Sequence, residues 1–226
     1  KEDTTAPEST AMKIATAAYP LDPLSQWAEY AAKLSDWVGR AAAEGADLAV
    51  FPEYGAMELA MLSGAEAAGD LERSLHAVDA AMTDAGDLHA DLAAHHGLHI
   101  LGASAPVFDS ALGDRPVNRA TLYTPTGARG HQDKQIMTRF EREEWGVAPG
   151  GPLRLFDTAL GKIGVLICYD CEFPLLGRAL SDADLVLAPS CTEALTGYSR
   201  VRIGAMARAL EAQCVTAMAS TVGDAA

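Results

Sequence analysis

The sequence has little cysteine, few aromatic side chains and no long apolar run. Four cysteines in 226 residues are too few for a disulfide framework, so the fold must depend on its core. Lysine and arginine total 17 against 31 acidic residues, a formal net charge of −14. This balance lacks the basic stripe of a nucleic-acid binder and disfavours an anionic membrane surface. The longest apolar runs, such as 163–168, are far shorter than the roughly 20 residues of a membrane-spanning helix.

The rest of the composition is typical of a globular protein. Hydrophobic residues make up 49% and charged residues 21%, a balance that disfavours a disordered chain. Residues 1–11 are polar and contain no apolar segment like that of a secretory signal, so we interpret them as a disordered leader or a tag remnant. Residues 12–226 show no repeat or linker and are predicted to form one domain. We expect a soluble protein of the reducing cytoplasm.

Short apolar runs alternate with alanine-rich amphipathic stretches. Helices are predicted at 24–44, 71–96 (with a possible break at Gly86) and 198–213. Strands are predicted at 13–19, 47–51, 98–103, 119–124, 153–156, 163–168, 185–188 and 214–218. Strands that alternate with helices and read as continuous apolar runs favour a layered α/β fold. In such folds the reactive side chains gather at the carboxyl ends of the strands.

Three polar residues stand at such strand ends. Glu53 follows the strand 47–51, Lys134 ends a polar segment, and Cys168 ends the strand 163–168. Taken singly, they read as a surface carboxylate, a solvated lysine and a packed thiol. Together they supply a thiol nucleophile, a carboxylate to take its proton and an ammonium to stabilise an oxyanion. The strand running into Cys168, with Pro174 opening a helix, resembles an elbow that presents a nucleophile.

With these motifs in place, the sequence resembles the nitrilase superfamily of carbon–nitrogen hydrolases. The matches are Phe51-Pro52-Glu53, Asp133-Lys134 ahead of 139–146, Gly164 through Asp170 and, more weakly, 202–213. The resemblance spans about residues 12–223 and implies a four-layer α-β-β-α sandwich in which Glu53, Lys134 and Cys168 are catalytic. It also implies a second carboxylate near the lysine, for which Glu141 matches best and Glu143 and Glu144 are alternatives. Family members usually continue past Gly223, so the C-terminal strands of the fold are expected to be missing here.

The chemistry that the resemblance implies is amide hydrolysis through a thioester on Cys168. Glu53 would serve as base and acid, while Lys134 and the backbone N–H of Tyr169 would hold the oxyanion. The steps need no metal and no other cofactor. The expected partner is a small amide; an N-carbamoyl compound or a nitrile would suit the same triad. Residues expected to bind the substrate are Tyr54, Tyr169, Cys191 and Thr192.

Two other classes of function remain open from the sequence. Cys168 and Cys171 form a C-x-x-C spacing that a redox dithiol would also show. A non-catalytic family member would keep the fold without turnover. The histidines of the helix 71–96, His89, His95 and His96, are expected at the surface rather than as zinc ligands.

The helix 198–213 suggests contacts beyond the domain. Its apolar residues exceed what one sheet needs to cover, and together with the family resemblance they predict at least a homodimer. These residues are Val201, Ala205, Met206, Ala209 and Leu210. Arg200 and Arg202 are candidates for holding a substrate carboxylate, although a salt bridge within the protein is the simpler expectation.

Overall fold

Two β-sheets packed face to face, with helices on both outer sides, make up the computed structural model, which describes residues 11–223. The predicted leader therefore lies, except for Ala11, outside the described residues. In chain order the strands are β1 (Ile14–Thr16), β2 (Ala18–Pro20), β3 (Leu48–Val50), β4 (His99–Leu101), β5 (Ala105–Val107), β6 (Val117–Tyr123), β7 (Arg129–Asp133), β8 (Leu155–Thr158), β9 (Gly161–Val165), β10 (Leu185–Ser190) and β11 (Val215–Val222).

In the described part of the chain, six α-helices and two 3-10 helices connect these strands. The α-helices are α1 (Trp27–Ala43), α2 (Ala65–Ala68), α3 (Leu71–His96), α4 (Arg139–Glu143), α5 (Pro174–Ala179) and α6 (Leu195–Ala212). The 3-10 helices span Gly55–Ser63 and Cys168–Glu172. α1 buries Tyr30, Leu34 and Val38, a spacing of four residues that places them on one face.

The two sheets differ in how their strands pair. The first has the order β1-β3-β4-β6-β5, with β7 paired to β6; β1, β3 and β4 are parallel and the others antiparallel. The second has the order β2-β11-β10-β9-β8 and is parallel except for β8. The carboxyl ends of β3, β9 and β10 lie in parallel runs, which is where loops can meet over a shared site.

Two apolar clusters hold the layers together. One joins Leu48, Val50 and Leu122 of the first sheet to Val165 and Leu187 of the second, so it fills the space between the sheets. The other packs residues of α1 and α3 against the outer face of the first sheet. On the far side, α6 covers the second sheet. The predicted four-layer α-β-β-α arrangement is confirmed.

Several local predictions need correction. The segment 13–19 forms two short strands, because the chain crosses at Ala17 from the first sheet, where β1 pairs with β3, to the second, where β2 pairs with β11. α3 continues through Gly86 without a break. A side chain there would meet the Tyr123 hydroxyl, since an added Cβ would lie 3.2 Å from its oxygen. The close approach of that tyrosine, rather than a helix break, accounts for this glycine.

The structure also adds and redraws elements. β5 and β7 were not predicted, because β5 is only three residues long and β7 is polar along most of its length. The apolar strand 163–168 ends at Val165 and gives way to the 3-10 helix at Cys168. α6 begins at Leu195, three residues before the predicted start.

The apolar residues of α6 divide between two faces. Val201 and Ala205 are buried against the protein's own fold, which corrects the expectation that they form part of a surplus face. Ile203, Met206 and Leu210 are exposed by 66%, 58% and 80%. None of the helices described here is both long enough and apolar enough to cross a membrane.

Candidate active site

Glu53, Lys134, Cys168 and Glu141 come from four different segments and meet at one end of the sheets. Glu53 follows β3 in the loop that leads to the first 3-10 helix, and Lys134 follows β7 directly. Cys168 opens the second 3-10 helix beyond β9, while Glu141 lies in α4. All four residues are at least 96% buried. The structure thus brings together the residues that the motifs indicated.

Lys134 sits between two carboxylates. Its Nζ donates to Glu53 Oε1 at 2.7 Å and to Glu141 Oε2 at 2.6 Å. The three side chains are exposed by 4% or less, so water screens these contacts very little. Burial opposes a charged lysine, but the two carboxylates outweigh it and raise the pKa of Lys134 above its ordinary value. The lysine is therefore a fixed ammonium.

Glu141 is held by the first turn of its own helix. Thr138 caps α4, and its backbone N–H and Oγ1 donate to Glu141 Oε2 at 2.8 and 2.9 Å, a capping-box arrangement. The nearby Lys134 ammonium keeps the pKa of Glu141 low despite burial. Glu143 instead pairs with exposed arginines, and Glu144 is exposed. Of the three candidates, Glu141 is the carboxylate that contacts the lysine.

The backbone at Cys168 is in the left-handed region, with φ of 50°. A non-glycine residue in this region carries strain, which is typical of a side chain held for function. Its Sγ lies 3.8 Å from the Cys191 carbonyl oxygen and within reach of the Glu53 carboxylate. Burial and the Glu53 charge raise the pKa of Cys168 well above the ordinary value. The resting thiol thus keeps its proton and needs a base to remove it.

Glu53 is placed to be that base. Burial raises the pKa of Glu53, while the Lys134 ammonium acts in the opposite direction. Glu53 Oε2 accepts a hydrogen bond from the backbone N–H of Cys191 at 2.9 Å, and Glu53 Oε1 accepts one from Lys134 Nζ. A carboxylate with a raised pKa beside a thiol is suited to accept and return a proton near neutral pH.

Asp170 ties the loop of Lys134 to the loop of Cys168. Its fully buried carboxylate accepts the backbone N–H groups of Gln135, Ile136 and Ile167 at 2.8–3.2 Å. Burial raises the pKa of Asp170 to about 7, and these three donors oppose that rise. The contacts keep the two loops in register.

Two residues near the carboxylates have roles that the motifs did not indicate. Asn118, fully buried in β6, donates from Nδ2 to Glu53 Oε1 at 3.0 Å and to Glu141 Oε1 at 3.4 Å. Tyr54, also left-handed with φ of 53°, donates its hydroxyl to Glu141 Oε1 at 2.8 Å. The strand predicted at 119–124 began one residue after Asn118. An asparagine beside an otherwise apolar strand was the feature of the sequence that could have indicated a role for this residue.

A cavity of about 900 Å³ opens over Cys168. Its wall includes all four residues expected to bind substrate, Tyr54, Tyr169, Cys191 and Thr192. Arg200 also lines the cavity and forms an ion pair with Glu172, whereas Arg202 is exposed outside the lining. Apolar and aromatic side chains complete the wall, notably Met57, Met61, Leu71, Phe140 and Trp145.

Cys171 is arranged differently from Cys168. It is fully buried, and its Sγ donates to the Leu166 carbonyl at 3.5 Å. Burial raises the pKa of Cys171, and it is not among the residues that line the cavity. Both thiols are free.

His89 corrects the expectation of three surface histidines. It is 3% exposed, hydrogen-bonds the Ala85 carbonyl and stacks on Tyr123 at 5.2 Å between ring centroids. His95, by contrast, is exposed. Over residues 11–223, the histidine, cysteine and acidic side chains form no group of three or more arranged to hold a metal ion.

Comparison with known proteins assigns the chain to a family. The sequence profile of the carbon-nitrogen hydrolase family matches residues 13–225. The chain belongs to this family. A relative called probable hydrolase YhcX, from Bacillus subtilis, is 34% identical over 94% of this chain and 41% of its own length. A deaminated glutathione amidase from Yersinia enterocolitica is 30% identical over 59% of this chain and 50% of its own length.

Solved structures agree on the fold. Saccharomyces cerevisiae Nit3, a member of the nitrilase superfamily, is 21% identical and superposes with a TM-score of 0.71 over 94% of this chain and 76% of its own. An amidase from Nesterenkonia sp. is 24% identical, with a TM-score of 0.66 over 94% and 77%. The sequence profile confirms the carbon–nitrogen hydrolase family that the motifs indicated, and the solved structures confirm the fold. The chain spans half or less of the length of the two curated relatives above.

Proposed function

We propose that this carbon-nitrogen hydrolase domain hydrolyses small linear amides to a carboxylic acid and ammonia or an amine. The observation that carries the proposal is the Glu53–Lys134–Glu141 cluster, buried beside the Cys168 thiol at the base of the cavity. A nucleophile, a base and a fixed positive charge are the three components that acyl transfer from nitrogen requires. The amidase names carried by relatives support the choice of amides.

In the first half of the reaction the thiol attacks the amide carbonyl. Glu53 takes the thiol proton as the carbon–sulfur bond forms, so the sulfur never has to carry a free charge. The oxyanion of the tetrahedral intermediate is stabilised by the Lys134 ammonium and the backbone N–H of Tyr169. Glu53 then gives its proton to the departing nitrogen, and the carbon–nitrogen bond breaks. A thioester on Cys168 remains.

In the second half, water replaces the amine. Glu53 removes a proton from the water as its oxygen attacks the thioester carbonyl, and Lys134 again stabilises the oxyanion. The carbon–sulfur bond breaks, the acid leaves, and the thiol regains the proton from Glu53. Glu141 holds the opposite side of the lysine through its own contact at 2.6 Å and so keeps the ammonium aimed.

The test is an ammonia-release assay on a panel of short amides, nitriles and N-carbamoyl compounds, together with intact-mass analysis of the wild type quenched in acid during turnover. We expect ammonia from the amides and an acyl adduct on Cys168 in the quenched wild type, whereas Glu53→Gln, which lacks the base for both half-reactions, should show neither. Turnover of nitriles or N-carbamoyl compounds, without turnover of amides, would show that one of these alternatives is the substrate class. Absence of turnover with reversible formation of a Cys168–Cys171 disulfide would support the redox alternative.

We further propose that the protein forms a homodimer or a higher homo-oligomer and functions in the cytoplasm. Ile203, Met206 and Leu210 expose a continuous apolar stripe along α6, which a second copy would cover. The four free cysteines suit a reducing compartment. Sedimentation of the wild type against Leu210→Glu tests the dimer: a monomeric wild type would refute it.

A further inference from the structure

Carboxylates outnumber cationic groups in the wall of the active-site cavity. Among residues 11–223, three cations line it: Lys134, Arg139 and Arg200. Six carboxylates from the same part of the chain line it: Asp22, Glu53, Glu58, Glu141, Glu172 and Glu193. Charge of one sign in a concave wall concentrates ligands of the opposite sign and repels those of the same sign. The excess of carboxylates therefore bears on which substrates can enter.

Each of the three cations already has a carboxylate partner. Lys134 is shared by the two catalytic carboxylates, as described above. Arg139 Nε donates to Glu143 at 2.7 Å. Arg200 donates from Nε and Nη2 to Glu172 Oε2 at 2.9 and 2.6 Å. A carboxylate on a substrate would have to displace one of these partners and leave two carboxylates beside a single cation.

The carboxylates, by contrast, are not fully compensated. Asp22 and Glu58 share one cation, Lys33, whose Nζ lies 2.7 and 2.6 Å from them. Glu193, at the entrance to α6, is exposed and makes no ion pair or side-chain hydrogen bond within residues 11–223. Both oxygens of Glu58 already accept hydrogen bonds from Tyr19, Lys33 and the Asp22 amide, so the carboxylates open to a positively charged substrate group are Asp22 and Glu193.

Glu172 is the carboxylate best placed to act on the tail of a substrate. It ends the 3-10 helix that Cys168 begins, four residues earlier. At about 2 Å of rise per residue, its backbone lies roughly 8 Å from that of the nucleophile. Its side chain is 21% exposed, compared with 60% for Arg200, so the acid is the more fixed partner. An extended acyl chain of six atoms reaches most of this distance, and a hydrogen bond from its end spans the remainder.

We infer that the cavity selects amides whose acyl chain ends in an ammonium or an uncharged group over amides that end in a carboxylate, with Glu172 as the specificity-determining residue. The inference rests on the proposed amide hydrolysis and names its substrate class. Met57 and Met61 supply apolar wall for the methylene chain.

The experiment compares three amides of equal length whose sixth atom is a methyl carbon, an ammonium nitrogen or a carboxylate carbon: hexanamide, 5-aminopentanamide and adipic acid monoamide. We expect kcat/KM for the carboxylate compound to be lower than for the other two by about tenfold or more, since like charges at this spacing repel even with partial screening. Glu172→Gln removes the partner of Arg200. The ratio of kcat/KM for the ammonium compound to kcat/KM for the carboxylate compound should therefore fall by about tenfold. Asp91→Asn, on the exposed face of α3, removes one charge outside the cavity and should leave the ratio unchanged.

Binding of the same compounds to the Cys168→Ala protein, measured by calorimetry, separates the two levels of the proposal. Hydrolysis of all three amides at similar rates, or a ratio that Glu172→Gln does not move, would overturn the charge selection and leave amide hydrolysis standing. If the Cys168→Ala protein binds the carboxylate compound more weakly than the other two, and the wild type hydrolyses none of the three, the charge selection is supported and the proposed reaction is overturned. Equal binding of all three compounds would overturn the charge selection directly.

Discussion

Replacing Asn118 by leucine tests whether its amide positions Glu53, the proposed base. The side chain is fully buried and donates to both Glu53 and Glu141, at 3.0 and 3.4 Å. A hydrogen bond to a charged group contributes about 1.5–3 kcal/mol. Since this bond favours the ionised carboxylate, and each pH unit of pKa corresponds to about 1.4 kcal/mol, its loss raises the pKa of Glu53 by roughly one to two pH units. Leucine keeps the branching at Cγ but is larger than asparagine and removes both amide atoms. Because Asn118 Oδ1 has no hydrogen-bond partner within residues 11–223, the hydrogen bonds lost are those that Nδ2 donates.

The assay is the pH dependence of kcat/KM with a neutral amide. Glu53 must be ionised to accept the thiol proton, so activity rises with pH through the pKa of Glu53 in the free enzyme. The acid limb of Asn118→Leu should lie about one to two pH units above that of the wild type. Asn118→Asp, which adds a third carboxylate to the cluster, should raise it at least as far.

A matched control separates this effect from simple destabilisation. Gln132 is another buried amide, on the neighbouring strand β7, and its Nε2 donates to the Asp133 carbonyl rather than to Glu53 or Glu141. Gln132→Leu should lower the free energy of unfolding without moving the acid limb. An acid limb of Asn118→Leu that coincides with the wild type would refute the positioning role.

Three further predictions concern the site and the core. Lys134→Met should lower kcat about 10²–10³-fold with a smaller effect on KM, and Lys134→Arg should also fail, since a planar fork cannot replace a compact ammonium; near wild-type kcat in steady-state assays would contradict this. Cys168→Ser should abolish ammonia release while Cys171→Ala retains it, and the reverse result would reassign the nucleophile. Burial lowers the pKa of His89 to about 4 from an ordinary value of 6.5, so its contribution to stability is complete above pH 6.5 and is lost as the pH falls towards 4. Urea unfolding should show about 2 kcal/mol less stability at pH 5 than at pH 7 from this residue, and His89→Phe should lose that part of the slope while His95→Gln keeps it.

Much of the site could be read along the chain because its signals are local. Glu53 and Cys168 each follow a short apolar run, and such a run predicts a buried strand from the local sequence alone. Glu141 was less certain, since it competes with Glu143 and Glu144 within four residues. The capping box with Thr138 turns its side chain inward and decides among them.

The errors also have physical reasons. Residues 13–19 form one apolar-looking segment, but pairing partners are set by distant strands, and the two halves pair with β3 and with β11. His89 was expected at the surface, together with His95 and His96, as part of a long helix. It is buried because the helix face that carries Ala85 and Leu92 turns it towards Tyr123.

The sequence by itself determined the three long helices and most of the apolar strands, the layered α/β class and the identity of the thiol, carboxylate and lysine, since each depends on near neighbours in the chain. Only the tertiary structure decided how these groups act on one another. Lys134 and Glu53 are 81 residues apart, and the Cys191 amide reaches Glu53 across 138 residues. The raised pKa of Glu53, the part of Asn118 and the paired arginines of the cavity all follow from such contacts. Burial and the neighbouring charges depend on which segments meet in space, and the order of residues along the chain does not specify which distant segments come into contact.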